Sequence, residues 1–123
     1  MNDRQLVAAA AINLFIAVAA GAFGAHGLKA VLSEPMLAIW HTAVTYQMVH
    51  ALGLFAIALL LPRLPGRLLA WSGGLMLAGI VLFSGSLYLL ALTGVRVLGA
   101  ITPLGGTAFL AAWALLGWRA MAR

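Results

Sequence analysis

Four apolar runs, each long enough to cross a bilayer, dominate the sequence and fix its fold class. They are residues 5–28, 35–61, 68–92 and 98–118. A hydrocarbon core of about 30 Å takes about 20 residues of helix at 1.5 Å per residue. None of the runs shows the alternation of a barrel strand. Inside hydrocarbon every backbone N–H needs a partner within the segment, so these runs must be helical. The expectation is a single all-α transmembrane domain over residues 1–123, a bundle of four helices. Composition agrees: 65% of residues are hydrophobic and only 7% charged, against about 25% charged in soluble domains. So few polar groups cannot cover a water-facing surface. The net charge of +5 comes from Arg residues scattered between apolar runs, not from a basic stripe that would track nucleic acid.

The breaks between runs carry the chemistry of helix ends. Ser33-Glu34-Pro35 supplies a capping hydroxyl, an acid that complements the dipole, and a proline whose missing N–H costs nothing in a first turn. The segment from Pro62 to Arg67 reads as a turn, and Thr93-Gly94-Val95-Arg96 as a short polar break. Thr102-Pro103 reads as an N-cap and first turn, which places Val97–Ile101 at the interface or in a re-entrant dip. Residues 6–22 also resemble the apolar region of a secretory signal, but Asp3 weakens the basic start and the run is long enough to span; a retained helix is expected. Arg4, Arg63, Arg67, Arg119 and Arg123 fall on one side and Lys29 and Arg96 on the other. That asymmetry predicts both termini in the cytoplasm. Trp71 and Trp118 suit a cytoplasmic aromatic belt, and Trp40 the outer one.

On the second helix Thr42, Tyr46, Gln47, His50 and Gly53 share a stripe that should face other helices, because polar groups in lipid turn inward. With Asn13, Ser84, Ser86 and Tyr88 on neighbouring helices, Tyr46, Gln47 and His50 are candidates for an inter-helix hydrogen-bond network. By depth, most polar residues fall in the outer half. His26, His41, Lys29, Arg96 and Thr102 cluster there near two helix N-termini, candidates to bind an anion, a lipid head group or a quinone carbonyl. The competing reading of every one of these side chains is structural glue. The glycines at 21, 24, 27, 73, 74, 79, 85, 105 and 106 predict close helix packing.

Enzyme signatures are absent: no HExxH, phosphate-binding loop, nucleophile elbow or dinucleotide fingerprint occurs. The chain has no Cys, and its two carboxylates, Asp3 and Glu34, lie near the membrane surfaces. That leaves no acid–base pair for hydrolysis and no intramembrane carboxylate relay. His41 and His50 point to opposite sides of one helix, which leaves His26 with His41, on neighbouring helix ends, as the one pairing that could share an ion; no metal site or cofactor is expected. Four blocks in order, Gly21-Ala22-Phe23-Gly24-Ala25-His26-Gly27, Tyr46-Gln47-Met48-Val49-His50-Ala51, Phe83-Ser84-Gly85-Ser86-Leu87-Tyr88 and Ile101-Thr102-Pro103-Leu104-Gly105-Gly106, resemble the YgdD-like family of small bacterial inner-membrane proteins, a domain of unknown function with small eukaryotic transmembrane relatives. The resemblance implies four membrane helices and supplies no activity. The function expected is a non-enzymatic accessory, scaffold or lipid-associated protein of the inner membrane. The alternative is a binding or transport protein for a small molecule, lipid or quinone, using an outer polar cavity. The partners expected are the lipid bilayer and no nucleic acid. So short a bundle also points to self-association or a membrane-protein partner.

Overall fold

A computed structural model describes residues 1–122, and among them it contains helices and turns with no strand. Arg123, counted above among the cytoplasmic charges, lies outside the described residues. The helices are α1 (Asp3–His26), α2 (Glu34–Leu60), α3 (Leu68–Thr93) and α4 (Thr102–Met121). All four spans are long and apolar enough to cross a membrane, the last counted from Arg96.

Helix ends follow local chemistry. At the start of α1, Asn2 and Gln5 form a reciprocal capping box: the Gln5 N–H donates to Asn2 Oδ1 at 2.8 Å, and the Asn2 N–H donates to Gln5 Oε1 at 3.0 Å. Ser33 accepts from the Met36 N–H ahead of Pro35. Gly94 closes α3 in the left-handed region at φ 72°, where its N–H donates to the Leu90 carbonyl. The α2–α3 turn is tied to the far end of α4, since Arg119 Nε donates to the Pro65 carbonyl at 3.0 Å.

The start of α4 corrects the expectation for Thr102. The residue before the helix, Ile101, is itself helical, and Thr102 makes no cap. The chain is already wound in tight 3-10 turns over Arg96–Ala100, so Ile101 donates to Leu98 and Leu104 to Ile101. Backbone carbonyls thus meet the N–H groups that a capping side chain would otherwise serve. Arg96–Ala100 is the wound lead-in to α4.

α2 and α3 form the middle of the bundle, with α1 laid against α2 and α4 against α3. Half of α2's apolar stretch is buried, but only 17% of that of α1 or α4, so the flanking helices supply most of the lipid-facing surface. Two apolar clusters result. One, built on Leu6, Ala10, Leu54, Ile57, Leu69, Met76, Ile80 and Phe109, fills the end of the bundle that holds the termini. The other, built on Leu28, Trp40, Val44 and Ala91, fills the opposite end. Trp40 is therefore not a belt residue. It is 7% exposed, its indole N–H donates to the Ala20 carbonyl at 2.8 Å, and its ring meets Tyr88 edge-on at 4.6 Å. Gly24 makes this possible, because a Cβ there would stand 2.6 Å from the Trp40 ring. Trp71 and Trp118 remain exposed.

Within α3 the winding loosens over Ile80–Ser84, where the Gly85 N–H reaches back five residues to the Ile80 carbonyl. This π-turn lies where α4 comes closest. A Cβ on Gly105 would strike the backbone nitrogen of Phe83, and one on Gly79 would strike the Phe109 ring. Close backbone approach substitutes here for the hydrophobic drive that lipid does not provide.

Candidate functional site

Between the two apolar clusters lies a polar layer. Asn13 on α1 anchors itself by donating from Nδ2 to the Ala9 carbonyl at 2.8 Å. Its Oδ1 accepts from Gln47 Nε2 on α2 at 3.0 Å, and Gln47 Oε1 accepts from the Tyr88 hydroxyl on α3 at 2.7 Å. Gln47 is 4% exposed and bridges in both directions, with its donor end toward α1 and its acceptor end toward α3. Three helices are pinned at one depth by a single amide.

Hydroxyls complete the seams. Ser84 donates to the Ala43 carbonyl of α2 at 2.8 Å, and Ser72 to the Ala112 carbonyl of α4 at 2.6 Å. Ser86 lies 2.9 Å from the Phe83 carbonyl and shares a 2.7 Å hydrogen bond with the Thr102 hydroxyl. Among the described residues no buried side-chain nitrogen or oxygen lacks a partner.

His50 belongs to a different arrangement. It is 5% exposed, with Nδ1 2.8 Å from the Tyr46 carbonyl and Nε2 3.0 Å from the Trp113 indole nitrogen. An indole N–H can only donate, so Nε2 carries the lone pair and the proton sits on Nδ1. This assigns a neutral imidazole, held on both edges. Its face stacks on Phe109, centroids 3.5 Å apart and planes 12° apart. Beside it a groove of about 490 Å3, lined by Tyr46, His50, Phe83, Gly106, Phe109 and Trp113 among others, opens laterally past the exposed Leu110.

The outer candidates are not gathered in this way. His26, His41, Lys29 and Arg96 are exposed, and their side chains make no hydrogen bond among the described residues. None of them lines the groove. His41 lies beside Gly24 of α1, and Thr102 is turned to Ser86. Nor does the α2 stripe face inward throughout. Gln47, His50 and Gly53 are buried, but Thr42 and Tyr46 are exposed. For Thr42 the reason is local: like Thr45, Thr93 and Thr107 it donates to a carbonyl four residues back, so its hydroxyl faces outward already satisfied. Residues that sequence reasoning passed over, Trp113 and Phe109, form the wall around His50. Their spacing of four along α4, just past Gly105 and Gly106, was the available signal. No three His, Asp or Glu side chains come together as a metal site among the described residues.

The chain is similar to membrane proteins from several bacteria. It is 54% identical over 107 residues to the UPF0382 membrane protein YwdK of Bacillus subtilis (strain 168), covering 86% of this chain and 87% of that one. A UPF0382 membrane protein of Staphylococcus epidermidis is 53% identical over 106 residues, 86% of each chain. No solved structure matches. The family described as "Protein of unknown function (DUF423)" matches residues 20–106, a stretch that takes in α2, α3 with its π-turn and the Gln47–Tyr88 bond, and leaves out Asn13, Phe109 and Trp113. With most of its length matched by that family and its membrane-protein relatives, the chain belongs to the DUF423 family.

Proposed function

We propose that this protein catalyses no reaction and serves as a lipid-associated accessory or scaffold protein of the bacterial inner (plasma) membrane, a YgdD-like protein with both termini in the cytoplasm. The observation that carries the reading is the saturation of the polar layer. Asn13, Gln47, Tyr88, Ser84, Ser86 and His50 are engaged with one another, with carbonyls or with Trp113, leaving no buried polar atom free for chemistry. The carboxylates support it too. Asp3 binds the Arg4 N–H at the chain's start, and Glu34 opens α2, so neither reaches the polar layer. Five Arg on one side against Lys29 and Arg96 on the other support the orientation. Exposed apolar side chains along α1 and α4, such as Phe15 and Leu110, suit lipid or a neighbouring helix. A carrier would need a polar path through both halves, and the cluster around Leu54, Met76 and Phe109 offers none.

The test is native mass spectrometry of the protein released from its own membrane. The expected result is a fixed stoichiometry with specific lipid, a second copy or another membrane protein. A bare monomer with no lipid at fixed stoichiometry would remove the reading.

A further inference from the structure

The groove between α2, α3 and α4 differs from the rest of the lipid-facing surface. Its wall is built of flat rings in nearly parallel planes: Tyr46 lies 7° from His50 and 18° from Phe109, and His50 lies 12° from Phe109. Phe83 packs 4.4 Å from Tyr46. Gly106 keeps the space open, with the Phe83 ring 3.9 Å from where a Cβ would stand. The volume of about 490 Å3 falls within the range of small-molecule sites, about 300–1,000 Å3.

One polar group in this groove is unspent. The Tyr46 hydroxyl has no hydrogen-bond partner among the described residues, and the residue is 42% exposed. Every other polar side chain lining the groove is engaged: His50 on both nitrogens, Trp113 on His50, Thr107 on the Pro103 carbonyl. Tyr46 also sits deep. It lies about 18 Å along α2 from Glu34 and about 21 Å from Leu60, at about 1.5 Å per residue. A phenol O–H at mid-bilayer finds neither water nor an acceptor in the hydrocarbon, and such a group costs free energy until something accepts from it.

The missing acceptor narrows the occupant. Acyl tails have none, and phospholipid ester carbonyls sit near the edge of a core about 30 Å thick, well away from its centre. A second copy of the chain packing through α1 would present faces such as Val7, Ile12, Phe15 and Val18, which carry no side-chain acceptor. A prenylated quinone has what the groove lacks. It is a flat ring that stacks on aromatics, bears ring carbonyls, and dissolves in the bilayer interior. We propose that this groove binds a membrane-dissolved quinone, with its ring against the Tyr46–Phe109 wall and a ring carbonyl accepting from the Tyr46 hydroxyl. The site lies at mid-depth on the side of the bundle, not among His26, His41, Lys29, Arg96 and Thr102. It goes beyond the accessory role, which stands or falls on its own experiment.

The test uses the full chain in phosphatidylcholine nanodiscs, in a Trp71→Phe/Trp118→Phe background that removes the two most exposed indoles. Decylubiquinone is titrated while the remaining tryptophan emission is followed. Saturable quenching is expected, lost in the additional variant Trp113→Phe. Tyr46→Phe keeps the ring and removes a hydroxyl bonded to nothing, so the fold is retained; it should weaken binding by about threefold to tenfold, the value of one neutral hydrogen bond. Gly106→Leu should abolish the saturable phase, and Tyr88→Phe should leave it intact. The proposal is overturned by quenching that rises only linearly with added quinone, by unchanged affinity in Tyr46→Phe, or by equal affinity for decylbenzene, which has no carbonyl. It is equally overturned if native mass spectra show a dimer that Gly106→Leu dissociates, since a second copy would then fill the groove.

Discussion

Replacing Gln47 by Leu tests whether the polar layer holds the bundle together. The substitution keeps the volume roughly constant but removes two inter-helix hydrogen bonds, at 3.0 Å to Asn13 and 2.7 Å to Tyr88. Hydrogen bonds between membrane helices average about 0.6 kcal/mol each. The larger effect is what remains: the Asn13 Oδ1 and the Tyr88 hydroxyl are stranded, at about 1 kcal/mol each at the low end of the range for unsatisfied buried groups. Gln47→Leu should therefore cost about 3 kcal/mol. Tyr88→Phe loses one bond and strands one acceptor, about 1.5 kcal/mol. The double variant is the discriminating one, because once Gln47 is gone the phenol is a liability and its removal recovers free energy. The pair should cost only about 2 kcal/mol, some 2.5 kcal/mol less than the singles added together. Reversible unfolding in mixed micelles of increasing dodecyl sulfate fraction, followed by tryptophan emission and circular dichroism, measures all three. A cost below about 0.5 kcal/mol for Gln47→Leu, or strict additivity in the pair, would refute the claim that this amide bridges three helices.

Glycines offer a paired test by thermal denaturation in detergent. Gly105→Ala drives a methyl into the Phe83 backbone and should cost about 3 kcal/mol, the upper end for overpacking. Gly74→Ala meets nothing within 4 Å and should be neutral or stabilising by up to about 1 kcal/mol. Trp40→Phe removes the donor to the Ala20 carbonyl and part of a buried ring; a loss of about 2 kcal/mol is expected from chemical denaturation. The orientation is tested by labelling, since the chain has no Cys of its own. Pro65→Cys should react with a membrane-impermeant maleimide only in inverted vesicles, and Val95→Cys only in intact cells or right-side-out vesicles. The reverse pattern would overturn the placement of the termini.

The four helices were legible because hydrocarbon leaves the backbone no alternative, and the ends at Ser33 and Gly94 because capping is local. Side-chain partners were not, since sequence does not say which faces meet. Gly73 and Gly74 are neighbours of one type, yet a Cβ on the first would stand 2.6 Å from Leu6 and on the second would meet nothing. Thr42 misleads for the opposite reason. Counting Thr42 as inward-facing assumes that a hydroxyl needs another helix, whereas Thr42 is satisfied by the Ala38 carbonyl of its own. The position of Trp40 along α2 suggests the outer belt, whereas Gly24 opens a slot that takes the ring inside.

The depth of the polar layer, by contrast, follows from topology once the helices alternate in direction. Measured from the end that holds the termini, Asn13 lies about 15 Å along α1 from Asp3, and Gln47 about 20 Å along α2 from Leu60, at about 1.5 Å per residue. They meet within one turn. Tyr88 looks too far, about 30 Å along α3 from Leu68. However, side chains lean toward the N-terminus of their own helix, and α2 and α3 run in opposite directions. Tyr88 therefore leans back toward the termini end while Gln47 leans away from it, and two long side chains close the gap to a 2.7 Å hydrogen bond. A shorter side chain at position 88 could not, which is why the bridge takes a tyrosine on the helix that runs away from the termini and an amide on the one that returns.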